Sequence, residues 1–416
     1  MLTCEILSIG DELLIGQVVN TNASYISEKL NSIGIDVTRV TTVGDDATVI
    51  TKAIKRAWKE QNIVIATGGL GPTHDDISKN IVAKFFGKKL ILHKQTLARV
   101  KARFASFGYK KMPEANIGQA MIPQGFTVLP NDRGTAPGLL YHFNRKTFII
   151  LPGVPHEMKF LMENSVIKLL RKIHKKKLGD VIAHRTLLTT GIGESMLAEK
   201  VGDVNNFLVG GATLAYLPKT SGVRMRISVR AKSEQIAKNI IEKIERHIRS
   251  RIGAHIYGMN DETLEGAVVA LLRKRKERIA AAESCTGGML SMRITNVPGA
   301  SEIFPGGVVS YSNDIKMQEL GVSEATLHTY GAVSEECAIA MAESALKKFG
   351  TTYAIAITGI AGPDGGTSER PVGTVWIALA DSYGTTTKLF HFGGERAIIR
   401  ERSSDAALDM LRKKLI

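Results

Sequence analysis

Residues 278–288 read Arg-Ile-Ala-Ala-Ala-Glu-Ser-Cys-Thr-Gly-Gly, an apolar run that ends in a short polar turn with two glycines. Similar apolar runs recur along the chain, and segments with helical spacing lie between them. Continuous apolar strands joined by helices are typical of parallel sheets that are covered by helices on both faces. This stretch therefore predicts an α/β domain with a polar turn at the carboxyl end of one strand.

The same pattern divides the chain into three parts. Residues 1–172 contain the apolar run Asn62–Thr67, and residues 257–416 contain the stretch quoted above. Between them, residues 173–256 begin with a basic, polar linker and continue with the strands and helices of a smaller α+β unit. We therefore predict the α/β class, as two three-layer α/β domains joined by a small α+β domain.

Composition excludes several classes of protein. The 416 residues are 44% hydrophobic and 23% charged, the balance of a folded protein and not of a disordered chain. No apolar run approaches the ~18 residues that cross a bilayer, and the acidic start predicts no signal peptide. We therefore expect a cytoplasmic protein with no membrane partner. The three cysteines have no metal-type spacing and are expected to be free thiols.

The chain is strongly basic, with 55 Lys and Arg against 40 Asp and Glu. Such an excess suits nucleic acids or phosphorylated nucleotides. The basic clusters Arg171–Lys177 and Arg273–Arg278 contain no aromatic residues, and aromatic residues make up only 6% of the chain. Since single strands are bound by aromatic stacking as well as by charge, nucleic acid is not expected as a partner.

Ser284 lies in the turn after the opening strand, which would hold its hydroxyl rigidly. The backbone N–H groups of Thr286, Gly287 and Gly288 would open the next helix, which suits either an oxyanion hole or a phosphate cradle. A plain helix N-cap is the alternative interpretation of Ser284. Cys285 is a second candidate nucleophile, but we expect it to be a buried structural thiol.

Lys316 is the candidate base for this serine. The segment Tyr311–Lys316 follows the next strand, and neither it nor the serine turn contains a histidine. A lysine whose pKa is lowered by burial can accept the serine proton, because only the neutral amine has a free lone pair. Tyr311 is placed to help. A surface lysine is the alternative interpretation of Lys316.

Two glycine-rich segments, Thr358–Gly366 and Gly393–Arg396, complete this half of the chain. Ligands of open α/β sheets bind outside the carboxyl ends of the strands, so these segments are expected near the serine turn. Arg396 and Arg400 could bind a substrate phosphate or could be solvated arginines of the last helix.

The motifs ESCTGG, YSNDIK and TGIAGPDGG followed by PVGTV resemble the C-terminal domain of the CinA family over residues 257–416. In that family the domain is similar to nicotinamide-nucleotide amidohydrolase, which converts nicotinamide mononucleotide (NMN) to nicotinate mononucleotide and ammonia and needs no cofactor. The resemblance implies a catalytic group of Ser284 as nucleophile, Lys316 as base and Tyr311 in support. The substrate-binding residues that it implies are Thr286, Gly287, Gly288, Asn313, Thr358, Gly359, Arg396 and Arg400. Glu395 departs from the family's G-D-R segment and leaves the choice of arginine open.

A second polar turn, Thr67–Asp76 (TGGLGPTHDD), follows the strand Asn62–Thr67. A glycine-rich turn between a strand and a helix is a phosphate-binding device. Carboxylates that follow neighbouring strands indicate a divalent cation bridging to pyrophosphate, whereas Asp46 is expected to cap a helix. The expected phosphate-site residues are Gly68, Gly69, Gly71, Thr73, Asp45 and Asp76, and the expected metal ligands are Asp11, Asp76 and Glu157.

This half resembles the molybdopterin-binding domain of molybdenum-cofactor biosynthesis proteins through its TGG-x-GP turn and LPG-x-P motif. SIGDELLIGQ, GLGPTHDD and LPGVPHEM are similar to the N-terminal part of CinA proteins, and the middle unit resembles their KH-like domain. The resemblance implies ADP-ribose pyrophosphatase activity with a divalent metal ion (Mg, Mn or Co). A homodimer is also expected.

Two other functions remain open, a catalytically inactive module that binds a nucleotide or pterin, and a DNA-associated competence protein. The DNA interpretation is weakened by Gly191–Glu194 (GIGE), which places an acid where a KH-type phosphate clamp carries none. Pyridine-nucleotide salvage, with NMN and ADP-ribose as substrates, is therefore the leading hypothesis.

Overall fold

The computed structural model describes residues 2–73, 76–175, 178–220 and 222–416. The chain forms two compact units, one of Met1–Ala183 with Val229–Asn239 and one of His184–Ser228 with Ile240–Ile416. Within the described ranges, every helix is too short or too polar to cross a membrane. The α/β class predicted from the sequence is confirmed, as the following elements show.

The N-terminal domain alternates strands with helices. Its strands are β1 (Leu2–Ile9), β2 (Ile35–Val43), β3 (Ile63–Thr67), β4 (Leu90–Leu92), β5 (Met121–Pro123), β6 (Thr127–Leu129), β7 (Gly138–Phe143) and β8 (Lys146–Leu151). Its α-helices are α1 (Asp11–Leu14), α2 (Thr21–Asn31), α3 (Ala47–Glu60), α4 (Ser78–Phe85), α5 (Lys94–Ser106), α6 (Pro155–Leu161) and α7 (Ile167–Ile173). The main sheet has the order β2-β1-β3-β8-β7-β6, and its first four strands are mutually parallel.

Helices cover both faces of this sheet. Ile63 and Ile65 of β3 pack with Ile26 of α2 on one face. Val64, between them in sequence, packs with Ile54 of α3 on the other. All five side chains are buried, and each stabilises the domain by about 1.5–3 kcal/mol relative to exposure. Burial on both faces is why the strand is continuously apolar and has no alternating pattern.

Caps fix the ends of the helices. The Asp46 carboxylate accepts hydrogen bonds from the amides of Thr48 and Val49, both at 2.8 Å, which confirms the predicted cap of α3. Replacing such a cap by alanine costs about 1 kcal/mol.

The middle domain contains the strands β9 (Val181–Thr189), β10 (Thr213–Lys219), β11 (Gly222–Ala231) and β12 (Ile256–Met259) and the helices α8 (Glu194–Val201) and α9 (Glu234–Ile252). The sheet order is β10-β11-β9-β12. Strand β12 pairs antiparallel with β9, with Ile256 opposite Thr189. Strand β12 runs to Met259 and pairs within the middle sheet. The middle domain therefore extends past residue 256, where the sequence predicted its end.

The C-terminal domain contains the strands β13 (Ile279–Glu283), β14 (Gly306–Val309), β15 (Tyr353–Gly359), β16 (Thr374–Asp381) and β17 (Gly384–His391). Its α-helices are α10 (Leu264–Arg275), α11 (Met289–Thr295), α12 (Asn313–Leu320), α13 (Glu324–Tyr330), α14 (Glu335–Phe349) and α15 (Arg396–Leu415). The sheet order is β14-β13-β15-β16-β17. Strands β14, β13 and β15 are parallel, whereas β16 and β17 join antiparallel.

This sheet also has a core on each face. On one face, Ile355 and Ile377 pack in a cluster with Leu408 of α15. The opposite face is filled largely by alanines from β13, β15, β16 and α14, here called the alanine layer. Its members are Ala280, Ala282, Ala338, Ala342, Ala345, Ala354, Ala356, Ala378 and Ala380. Two buried faces make this a second three-layer domain.

Candidate active site

The candidate active site lies where three parallel strands of the C-terminal domain end. Ser284 follows β13, Ser310 follows β14, and Thr358 lies at the end of β15. The Ser284 N–H donates to the Ile357 carbonyl at 2.9 Å, and the Ser310 N–H donates to the Glu283 carbonyl at 2.8 Å. Backbone pairing of the sheet therefore continues to the serine and fixes its position.

Ser284 and Lys316 form a buried pair. The Lys316 side chain, on α12, is only 1% exposed, and its Nζ lies 3.0 Å from Ser284 Oγ and 2.8 Å from the Ser310 carbonyl oxygen. Burial lowers the pKa of Lys316, because the charged amine loses its hydration. The neutral amine can donate to Ser310 and accept the Ser284 hydroxyl proton at once. The structure thus brings the predicted nucleophile and base together, and Lys316 is not a surface lysine.

The turn after Ser284 has a left-handed backbone, with φ of 56° at Gly287 and 89° at Gly288. The Gly287 N–H donates to the Ser284 carbonyl at 3.0 Å, so it is not available to a ligand as the sequence predicted. In the described part of the chain, the amides of Thr286 and Gly288 have no such acceptor. Thr286 is fully buried and Gly288 is half-buried, so of these two amides the one of Gly288 is the more accessible to an oxyanion.

Glu283 is a site residue that sequence analysis did not identify. Its carboxylate is fully buried and accepts hydrogen bonds from the Leu290 N–H at 3.0 Å, the Ser291 N–H at 2.8 Å and the Ser291 hydroxyl at 2.6 Å. These bonds anchor α11 to the end of β13 and hold the serine turn between them. An acidic residue at the end of an otherwise apolar strand is the signal that could have found it.

Cys285 lies in the apolar core of the domain, and burial raises the pKa of its thiol to about 12. The thiol is therefore protonated at neutral pH, which disfavours it as a nucleophile. This agrees with the expected structural role. Cys4, Cys285 and Cys337 are all free and buried.

Tyr311 lies at the rim of the site and not beside the Ser284–Lys316 pair. Its side chain is 60% exposed, and its hydroxyl accepts a hydrogen bond from Arg396 Nη2 at 2.7 Å. The two hydrogen bonds of Lys316 go to Ser284 and to the Ser310 carbonyl, and neither goes to Tyr311. Asn313, the first residue of α12, is likewise exposed.

The two arginines of α15 reach the same edge of the sheet in different ways. Arg400 donates from Nε and Nη2 to the Thr286 carbonyl, at 3.2 and 2.7 Å, and so supports the serine turn. Arg396 is exposed and donates to the Gly362 carbonyl at 2.8 Å as well as to Tyr311. Arg396 is thus the more accessible cation for a substrate anion.

Thr358 and Gly359 support the edge of the site. The buried Thr358 hydroxyl donates to the Ala332 carbonyl at 2.6 Å, which ties the end of β15 to the segment before α14. A side chain at Gly359 would lie 2.7 Å from the Thr374 carbonyl oxygen, so only glycine fits beside β16. Both residues hold the backbone in place, and the Thr358 hydroxyl points to protein and not to the serine.

The N-terminal domain has a cavity of about 560 Å³ at the corresponding strand ends. Its lining contains the predicted residues Gly68, Gly69, Gly71, Asp45, Asp76 and Glu157. A side chain at Gly68, whose φ is 111°, would lie 2.1 Å from the Ile9 carbonyl oxygen. Thr73 does not line the cavity, but its N–H donates to the Asp76 carboxylate at 3.0 Å and shapes the turn.

The three predicted metal ligands are not brought together. Asp11 accepts from the Asp45 amide at 3.2 Å and donates its own N–H to Asp45 at 3.1 Å, while Glu157 accepts from Asn131 at 2.6 Å. Burial raises the pKa of Glu157. Among the described residues, which exclude positions 74 and 75 of the turn, no three His, Cys, Asp or Glu side chains could hold one ion. Asp11, Asp76 and Glu157 therefore do not form the predicted metal site.

Comparisons with known proteins agree with this architecture. Residues 5–172 match the family described as “Probable molybdopterin binding domain”, residues 184–258 the “Damage-inducible protein CinA KH domain”, and residues 261–415 the “CinA C-terminal domain”.

Full-length relatives match as well. The chain is 46% identical to a competence-damage inducible protein of Caldicellulosiruptor saccharolyticus, over 99% of each chain. It is 45% identical to a CinA-like protein of Chloroherpeton thalassium and 44% identical to one of Dictyoglomus turgidum, again over 99% of each chain. The order of the three domains and these relatives together show that the chain belongs to the CinA family.

Proposed function

We propose that the C-terminal site hydrolyses the carboxamide of NMN to give nicotinate mononucleotide and ammonia. The observation that carries this proposal is the 3.0 Å contact between Ser284 Oγ and the buried Lys316 Nζ. A serine beside an amine whose pKa is lowered by burial is a nucleophile with its own base, which is the chemistry that acyl transfer requires. Family membership supports the same reaction class.

In the first half of the reaction, Ser284 Oγ attacks the carboxamide carbon and its proton passes to Lys316 Nζ. The negative charge that forms on the amide oxygen is stabilised by the N–H group of Gly288, which is half-buried and has no backbone acceptor in the described part of the chain. Lys316 then returns the proton to the departing nitrogen. The C–N bond breaks, ammonia leaves, and a nicotinoyl ester remains on Ser284.

In the second half, water attacks the ester carbon and Lys316 accepts one of its protons. Collapse of the tetrahedral intermediate breaks the bond to Ser284, whose oxygen regains a proton from Lys316. Nicotinate mononucleotide leaves and the pair returns to its starting state. The Ser310 carbonyl holds Lys316 in position through both halves, because it accepts a hydrogen bond at 2.8 Å.

The decisive experiment measures ammonia release from NMN by the purified protein and by Ser284→Ala. Wild-type turnover is expected, and the variant should lose at least about 10³-fold, because among the described residues Ser284 carries the one hydroxyl that contacts Lys316 Nζ. Cys285→Ala is the matched control and should keep its activity, since the thiol is buried and protonated. Equal rates for wild type and Ser284→Ala, or none from either folded protein, would refute the proposal.

We also propose that the N-terminal cavity binds ADP-ribose and hydrolyses its pyrophosphate bond, with water, to AMP and ribose 5-phosphate. The supporting observation is a cavity of about 560 Å³ walled by the glycine-rich turn and by Asp45 and Asp76. Glycines let phosphate oxygens approach backbone N–H groups closely. Dependence on Mg, Mn or Co belongs to this proposal, although no step is assigned to a metal.

This second activity is tested by AMP formation from ADP-ribose with each divalent ion and with a chelator. Asp76→Ala should remove it and leave NMN deamidation unchanged, because Asp76 shapes the turn that walls the cavity. Loss of both activities in this variant would contradict two independent sites. Activity that survives the chelator would remove the metal from the proposal.

A further inference from the structure

A larger cavity, of about 770 Å³, lies within the compact unit that holds the C-terminal domain. One wall is formed by the segment Thr190–Glu194 and the adjoining ends of β10 and β11, and the other by β17 and α15. Its lining contains neither Ser284 nor Lys316, so it is separate from the proposed active site. The volume falls in the range of sites that enclose a small organic ligand.

The floor of this cavity is aromatic. Phe390 of β17 and Phe392 just after it project to the same side, with ring centroids 5.1 Å apart and planes inclined by only 14°. Leu379 and Met410 continue the apolar surface. Both phenylalanines pack against the core on one side and are only half-buried, so part of each ring faces the cavity. A planar ring can stack on such a surface.

Charges of both signs border this aromatic floor, with cations in excess: the acids Glu194, Asp405 and Asp409 line the cavity together with Arg402 and four lysines. Lys413 shares the Asp409 carboxylate with Arg412, each at 2.7 Å, and Lys414 pairs with Asp381 at 2.9 Å, so both lysines are held by a carboxylate. Lys219 and Lys388 also line the cavity, and in the described ranges neither has a carboxylate within ion-pair distance. Lys388 Nζ lies over the Phe390 ring, 5.0 Å from its centroid, and Phe392 is stacked against the same ring. A planar base can therefore stack on Phe390 only in place of the Lys388 ammonium, which can turn toward a phosphate because no carboxylate in the described ranges holds it.

We infer that this cavity binds a mononucleotide, with its base stacked on Phe390 and its phosphate between Lys388 and Lys219. The ligand class follows from the pairing of a flat apolar surface with free cations, which matches a planar base joined to a phosphate. A purely apolar ligand would not use the lysines, and an inorganic anion would not use the phenylalanine rings. This site is additional to both sites under Proposed function and does not depend on either activity.

The test is calorimetric titration of the full-length protein with AMP, and with adenosine and ribose 5-phosphate as its parts. AMP should bind more tightly than either part. Lys388→Glu should weaken this binding at least about tenfold, because it reverses the charge beside the floor. Thr386→Trp, an exposed lining position on β17, should fill the space and remove the binding equivalent.

Two controls separate this site from the others. Lys347→Glu makes the same charge change at an exposed position of α14 outside the lining, and it should not alter binding. Ser284→Ala should also leave AMP binding unchanged. No AMP binding to the wild type, or binding that both Lys388→Glu and Thr386→Trp leave intact, would overturn the inference. In the second case the N-terminal cavity would account for the bound AMP.

Discussion

The two α/β domains place polar residues at the same point of their sheets, the carboxyl ends of parallel strands, but they bury them to different degrees. In the C-terminal domain, Ser284 is 8% exposed and Lys316 1% exposed. In the N-terminal domain, Asp11 is exposed, and Asp45 and Glu157 are partly exposed and line or border an open cavity. Burial changes the chemistry of a lysine by favouring its neutral form, whereas the less buried carboxylates and the glycines of the N-terminal domain wall an open cavity. The same topology therefore holds a buried serine–lysine pair in one domain and an open cavity in the other.

The strongest test of this difference between the domains is the variant Lys316→Met, which keeps a long side chain and removes the amine. NMN deamidation should fall about 10²–10⁴-fold, the usual contribution of a positioned base. The midpoint of thermal unfolding should stay equal or rise, because an apolar chain replaces a buried amine. ADP-ribose hydrolysis by the same preparation should not change. A variant that loses stability and both activities together would show that Lys316 is structural.

The pH dependence of the wild type sharpens the comparison further. Only neutral Lys316 accepts the serine proton, so kcat/KM for NMN should rise about tenfold per pH unit below the lysine pKa. Because burial lowers this pKa, the plateau should begin below the ordinary lysine value of 10.5. ADP-ribose hydrolysis, in which Lys316 has no part, should not follow this curve. An NMN profile that is flat or falls toward alkaline pH would contradict the lysine as base.

The smallest of these effects concerns the two arginines at the C-terminal site. Arg396→Ala should raise KM for NMN about tenfold with little change in kcat, as expected when a charge-assisted contact to phosphate is lost. Nicotinamide riboside, which has no phosphate, should not distinguish the variant from the wild type. Arg400→Ala should instead lower kcat for both compounds, because Arg400 holds the Thr286 carbonyl. An Arg396→Ala variant that lowers kcat equally for both would assign it a structural role.

Periodicity and motifs predicted the class, both three-layer domains and the residues of the buried pair. They could do so because continuous apolar strands are what a doubly covered sheet requires, and the polar turns after them lie at one edge of the sheet. Strand β17 was not predicted. It reads GTTTKLFH, lies at the edge of the sheet and is half exposed along its length, so it lacks a continuous apolar run.

The details of the site could not be predicted from residue types alone. Whether the Gly287 amide is free depends on the left-handed turn that directs it to the Ser284 carbonyl. Whether Tyr311 reaches the pair depends on Arg396, which lies 85 positions further along the chain. Tertiary contacts determine these details, whereas spacing in the sequence indicates only which residues lie at the same edge of the sheet.

The alanine layer under α14 has a consequence for how this domain can change over evolutionary time. The sheet and α14 meet through alanine methyl groups, which leave almost no spare volume between them. One added methylene must therefore displace α14 or force a side chain into a strained rotamer. The segment before α14 carries the Ala332 carbonyl that receives the Thr358 hydroxyl. A bulky replacement in the layer would thus be transmitted to the end of β15, beside the serine. Changes in this layer are expected to persist only as compensating pairs, with one side chain shrinking as its neighbour grows.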